Sequence, residues 1–118
     1  MDKIILRGLP VRCIVGTLPE ERVSPQPLFF DLELCGDFSR AGETDDLADA
    51  VDYTAVERVV RDFASGSSFF LLERLAYACA RDLLAKFPPL DRITLGIRKP
   101  SAPVESESVA LEITLGRT

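Results

Sequence analysis

From Leu28 to Cys35 the chain alternates with a period of two: Leu28, Phe30, Leu32 and Leu34 fall on one face, Phe29, Asp31, Glu33 and Cys35 on the other. A half-buried β-strand places successive side chains on opposite sides, so this run restricts the fold more than any other stretch. The alternation returns in "RITLGIRK", where Ile93, Leu95 and Ile97 share a face, and in "SVALEITLGR", where Val109, Leu111, Ile113 and Leu115 do. "KIILRGLPVRCIV" supplies a first β-rich segment, with Gly8 and Pro10 marking a bend or bulge in it.

Between the two strand pairs the period changes to that of a helix. From about Tyr53 to Phe63, Val56, Val59, Val60 and Phe63 follow the i, i+3, i+4, i+7 spacing, and Thr54 with Glu57 forms a capping-box signature. A second helix is predicted from roughly Phe69 to Lys86. Leu72, Leu75, Cys79 and Leu83 form its buried stripe, Ser67 or Ser68 its cap, and Pro88 with Pro89 its stop. The acidic stretch "SRAGETDDLADAVDY" reads as a solvated connection. The order β-β-α-α-β-β predicts an α+β domain: a four-stranded, largely antiparallel sheet with both helices on one face. Such a sheet has two open edges, which points to a ring or barrel of sheets from several chains.

With 118 residues, 47% hydrophobic and 28% charged, the chain is expected to form one domain spanning 1–118. A net charge of −5 without a dense Lys/Arg patch argues against a nucleic-acid or anionic-membrane binder. The longest apolar runs fall far short of a membrane span, and "MDKIILRG" lacks a signal-peptide pattern, so a soluble cytoplasmic protein is expected. Cys13, Cys35 and Cys79 have no ligand spacing and read as small core residues. There is no histidine. That removes the usual zinc sites, the Ser-His-Asp and Cys-His pairs and the commonest general base, leaving chemistry to Glu, Asp, Lys, Tyr and Arg.

Four positions stand out against this background. Glu73 lies near the start of the second predicted helix, with Phe69, Phe70, Ala76 and Tyr77 at its helical neighbour positions and no cation to pair with. It is either a first-turn carboxylate that favours the helix dipole or an acceptor for something brought in. Counting in twos from Ile93 lands on Lys99, which therefore shares the apolar face where the strand meets Pro100 and Pro103. A strand-end lysine usually snorkels to water, whereas a partly desolvated one can donate a proton near neutral pH. Glu20, Glu21 and Arg22 lie in the loop "GTLPEERVSPQ", ahead of Gln26. Adjacent charges in a loop are commonly just solvated. Tyr53 opens the first helix, as a packing residue or as a hydroxyl available for acid–base work.

"GTLPEER" with a glutamine four residues on, "DDLADAVDY", "FFLLERLA" and "IRKPSAPV" occur here in the order and spacing of the dihydroneopterin aldolases of folate biosynthesis. The chain resembles that family over essentially its whole length. The resemblance implies a tunnelling fold whose sheets join into an oligomeric barrel, a homo-oligomer built as a tetrameric ring or as two stacked rings in an octamer. It implies a pterin substrate, 7,8-dihydroneopterin, cleaved by a retro-aldol reaction to 6-hydroxymethyl-7,8-dihydropterin and glycolaldehyde without metal, cofactor or Schiff base. Glu73 falls on the pterin-recognising glutamate, with the backbone around Leu72 assisting. Lys99, Tyr53 and Glu21 fall on the catalytic positions, and Val51 and Tyr53 would come from a neighbouring chain. Val15 departs from the family, many of whose members carry histidine there. Two alternatives are an epimerase of the same fold acting on dihydroneopterin or its triphosphate, and a pterin-binding protein without turnover. The zinc-dependent pterin enzymes of this fold are opposed by the missing histidines.

Overall fold

The computed structural model describes residues 1–101 and 104–117. Four strands, β1 (Asp2–Cys13), β2 (Gln26–Gly36), β3 (Leu90–Lys99) and β4 (Val109–Gly116), pair antiparallel in the order β1-β2-β3-β4. A short helix α1 (Ser39–Thr44) follows β2, and two longer helices, α2 (Tyr53–Ser65) and α3 (Leu72–Lys86), connect the strand pairs. Helix α2 packs on β1, and α3 on β3 and β4, so both cover the same face.

The alternation in β2 becomes the core. Leu28, Phe30, Leu32 and Leu34 meet Ile93, Leu95 and Ile97 of β3, Val56, Val60 and Ala64 of α2, and Leu75, Cys79 and Leu83 of α3 in one buried cluster. Each large aliphatic side chain removed from water there contributes about 1.5–3 kcal/mol before chain entropy is counted.

The expected irregularity in β1 is a bulge. Leu6 pairs with Leu32 and Leu9 with Phe30, so Arg7 and Gly8 together stand opposite Asp31. Gly8 takes φ +72°, a conformation that costs a β-carbon-bearing residue more. The extra residue switches the inward parity of the strand. Ile4 and Leu6 pack on the core before it, Leu9, Val11 and Cys13 after it. Asp31 secures the bulge by accepting from Gly8 N–H at 2.8 Å and from Arg98 Nε at 2.9 Å.

Three local expectations are corrected. Helix α2 is capped by Asp52, whose carboxylate accepts from the Thr54 and Ala55 N–H groups, because Thr54 already lies inside the first turn. Helix α3 begins at Leu72 rather than Phe69, and no serine caps it. Ser67 instead turns its hydroxyl back to the Ala64 carbonyl at 2.7 Å, and Phe69 stacks against Phe63 with centroids 6.3 Å apart ahead of the helix. The acidic stretch is partly ordered into α1 and a 3-10 turn at Leu47–Asp49, tied together by Arg40 and Thr44 on the Asp49 carboxylate. Pro103, the second proline expected to restrain Lys99, lies outside the described residues. Among the described residues no helix is long and apolar enough to cross a membrane.

Candidate active site

Lys99 ends β3 on the apolar face, as its parity requires, and only 9% of it is exposed. An ammonium this dry needs a partner. It donates to Glu21 Oε2 at 2.7 Å, from 78 positions away in sequence, and the Glu21 side chain is itself 10% exposed. Neither reading of these two residues as free surface charges survives.

The loop after β1 aims the carboxylate. Pro19–Arg22 forms a 3-10 turn that brings Glu21 back over the chain, where Leu18 N–H donates to Oε1 at 3.3 Å. Gln26, the first residue of β2, donates from Nε2 to Glu21 Oε2 at 3.2 Å and to the Val15 carbonyl at 2.7 Å. Burial pushes the Glu21 pKa up, but the hydrogen bonds from Lys99, Gln26 and Leu18 outweigh it and leave the carboxyl below its ordinary value.

Gly16 makes this approach possible. A β-carbon there would collide with the Glu21 carboxylate, and the residue takes φ +130°. Gly16→Ala combines backbone strain of about 1–3 kcal/mol with overpacking of similar size. The expected outcome is a melting temperature lowered by several degrees, read by calorimetry, together with loss of the Glu21 position and of most activity.

Cys13 lies close enough for the Lys99 charge to act on it. Burial pushes its thiol up to about 11 against that opposing pull. Burial, with Asp82 adding to it and Lys86 opposing, pushes Cys79 up to about 12. All three cysteines are free and buried. Native protein at pH 8 is expected to resist a thiol reagent and to release three equivalents only after unfolding; fast labelling of Cys13 in the folded state would contradict the packing described here.

The other sequence-derived positions lie outside this pair. Glu73 is the second residue of α3, exposed, and among the described residues its carboxylate has neither hydrogen bond nor ion pair. Leu72 beside it is half-buried. Phe70 and Leu71, at 60% and 53% exposed, lead into that helix end. Tyr53, the first residue of α2, is 55% exposed, and no hydrogen bond of its hydroxyl is formed among the described residues. Val51 is 4% exposed and packs its side chain into the core, so a ligand could meet only its backbone. A depression of about 190 Å³ adjoins the Glu21 carboxylate, lined by Glu20, Glu21, Ser24, Pro25, Gln26 and Ser101. Among the described residues no cluster of His, Cys, Asp or Glu has the makings of a metal site.

Fold and site together describe an α+β chain without histidine, in which a buried lysine–carboxylate pair is the polar centre. A sequence model of the dihydroneopterin aldolase family matches residues 4–114. The chain is 38% identical over 119 residues to a dihydroneopterin aldolase of Methylorubrum extorquens, covering 99% of this chain and 92% of that protein. It is 35% identical over 116 residues to the dihydroneopterin aldolase of Bacillus subtilis, covering 97% of each. The crystal structure of the E. coli dihydroneopterin aldolase in complex with neopterin superposes with a TM-score of 0.91 at 31% identity, covering 98% of this chain and 100% of that one. The chain belongs to the dihydroneopterin aldolase family. Its activity is that of an aldehyde-lyase, the aldol cleavage of dihydroneopterin in folate biosynthesis.

Proposed function

We propose that Lys99, Glu21, Tyr53 and Glu73 divide the cleavage of 7,8-dihydroneopterin between them. The observation that carries this reading is the buried pair, Lys99 Nζ to Glu21 Oε2 at 2.7 Å, with Gln26 on the same oxygen. A side-chain hydroxyl loses its proton, the bond between the first two side-chain carbons breaks, and the electron pair moves into the ring imine, which takes a proton at N5. Lys99 supplies the proton near N5, Glu21 orients the ammonium and holds the side-chain hydroxyls or a water, and Tyr53 carries the hydroxyl proton. Protonation of the side-chain carbon left on the ring, with loss of the N5 proton and return of the ring imine, gives 6-hydroxymethyl-7,8-dihydropterin, and the departing two-carbon fragment leaves as glycolaldehyde. The imine is the electron sink, so the lysine needs no covalent bond to substrate.

Glu73 and the Leu72 backbone bind the pterin edge in this reading. The E. coli relative is a complex with neopterin, which supports a pterin ligand here. The depression beside Glu21 is small against the 300–1,000 Å³ usual for ligand sites, and Tyr53 and Glu73 stand on the surface. Both features support a site completed by a second copy of the chain, with Val51 and Tyr53 contributed across the interface. The open edges of β1 and β4 support a homo-oligomeric ring, tetrameric or doubled to an octamer.

The test is to incubate the protein with 7,8-dihydroneopterin in the presence of EDTA and to separate the pterins by chromatography. Accumulating 6-hydroxymethyl-7,8-dihydropterin is the expected result. An epimer alone makes the chain an epimerase, and bound but unchanged substrate makes it a pterin-binding protein.

A further inference from the structure

Glu21 and Arg22 are neighbours on one 3-10 turn but point to different tasks. The Glu21 carboxylate meets Lys99, whereas the Arg22 guanidinium reaches the segment leading into α3. Its Nη1 donates to the Phe69 carbonyl at 2.9 Å and to the Gly16 carbonyl at 3.2 Å, its Nη2 donates to the Ser68 carbonyl, and its Cζ lies over the Phe70 ring, 4.0 Å from the centroid. The Gly16 N–H adds a bond to the Phe69 carbonyl at 3.4 Å. One side chain thus bridges the loop that carries Glu21 and the segment that runs directly into Leu72 and Glu73.

We propose that Arg22 is a positioning residue, a clamp that fixes the pterin-recognising end of α3 against the Lys99–Glu21 pair. The inference rests on the roles proposed above for Glu73 and Lys99. The segment at 68–71 has reason to need such a clamp. Leu71 precedes the first turn of α3 without a side-chain cap, and Phe70 and Leu71 are exposed, so apolar burial ahead of the helix is confined to Phe69. The guanidinium suits the task because its planar fork serves three carbonyls in fixed directions and stacks on an aromatic ring, which a lysine ammonium cannot reproduce. A ring bound at Glu73 presents its N5 region to Lys99 only if the two anchors keep their separation, and a displacement of about 1 Å between reacting groups can cost on the order of 100-fold in rate.

The experiment compares wild type, Arg22→Lys and Arg22→Met in turnover of 7,8-dihydroneopterin, affinity for 6-hydroxymethyl-7,8-dihydropterin and thermal melting. The clamp predicts kcat lowered about 10-fold or more in both variants, product affinity changed less than about threefold, and a cooperative melt. Arginine therefore fails to be replaced by the other cation, which a role in charge or stability alone would allow. Wild-type kcat per folded site in either variant overturns the proposal, as does a kcat loss that merely tracks the folded fraction. Should Arg22→Met not fold, Phe70→Leu removes only the stacking face at an exposed position. A severalfold lower kcat at unchanged melting temperature then supports the clamp, and unchanged kcat overturns it. Absence of turnover in the wild type would reject the underlying role assignments instead, so the two failures are distinct.

Discussion

Lys99→Ala is expected to lower kcat for 7,8-dihydroneopterin cleavage by about 10²–10⁴-fold, the range in which a positioned proton donor contributes, while 6-hydroxymethyl-7,8-dihydropterin remains bound. The ammonium is the buried cation beside Glu21, and no other lysine or arginine among the described residues forms an ion pair with that carboxylate. Stability changes as well, with a pH signature. In the wild type Glu21 titrates below its ordinary value of 4.5. Its stabilisation is therefore fully present above that value and lost as pH falls through the lower, folded-state pKa. Without Lys99, burial opposes only the weaker bonds from Gln26 and Leu18, and the carboxyl titrates higher than in the wild type. The melting-temperature deficit of Lys99→Ala should be largest near neutrality and shrink as pH falls below about 4.5. Parallel melts and single-turnover assays check both claims. Turnover within a few-fold of wild type at neutral pH would remove Lys99 from the proton-donor role.

The fold was legible wherever a residue's environment follows from periodicity. Counting in twos placed Lys99 on the buried face, and the break at Gly8 and Pro10 anticipated the bulge that reverses the parity of β1. The site was legible as residue types but not as contacts. Glu21 and Lys99 meet across 78 positions because the loop after β1 folds over the end of β3, a non-local event that no pattern in either segment records. Arg22 was visible only as one charge in "PEER", since its acceptors are the backbone carbonyls of Gly16, Ser68 and Phe69, which any residue type could provide. Those same bonds explain the misplaced start of α3. Residues 69–71 continue the helical apolar pattern in sequence, yet the Phe63 stack and the Arg22 contacts engage Phe69 and Phe70 ahead of the helix, and Leu71 is extended. The acidic stretch failed as a plain loop for a local reason. Asp46, Asp49 and Asp52 each accept hydrogen bonds from nearby groups, which orders turns and a cap that composition alone reads as solvated charge.

Glu73→Gln is expected to weaken binding of 6-hydroxymethyl-7,8-dihydropterin by about 100-fold or more, measured by calorimetric titration, with a smaller effect on kcat at saturating substrate. The carboxylate has no partner among the described residues, stands in the first turn of α3, and is flanked by the half-buried Leu72 and exposed Leu71. In the proposed role two oxygens would accept from two donors, the pterin 2-amino group and the adjacent ring N–H, whereas an amide would set its own NH₂ against one of them. The Lys99–Glu21 pair is untouched, so molecules that do bind should still react. A helix-dipole role predicts something different: a loss of about 0.3–1 kcal/mol in stability and no change in affinity. Ring selectivity separates the two further. Wild type should prefer the aminopyrimidinone ring over a pteridine lacking the 2-amino group, and the preference should collapse in Glu73→Gln because the variant no longer supplies two acceptors. Unchanged affinity and unchanged selectivity would return Glu73 to the helix dipole and leave the pterin anchor to be sought elsewhere on this surface.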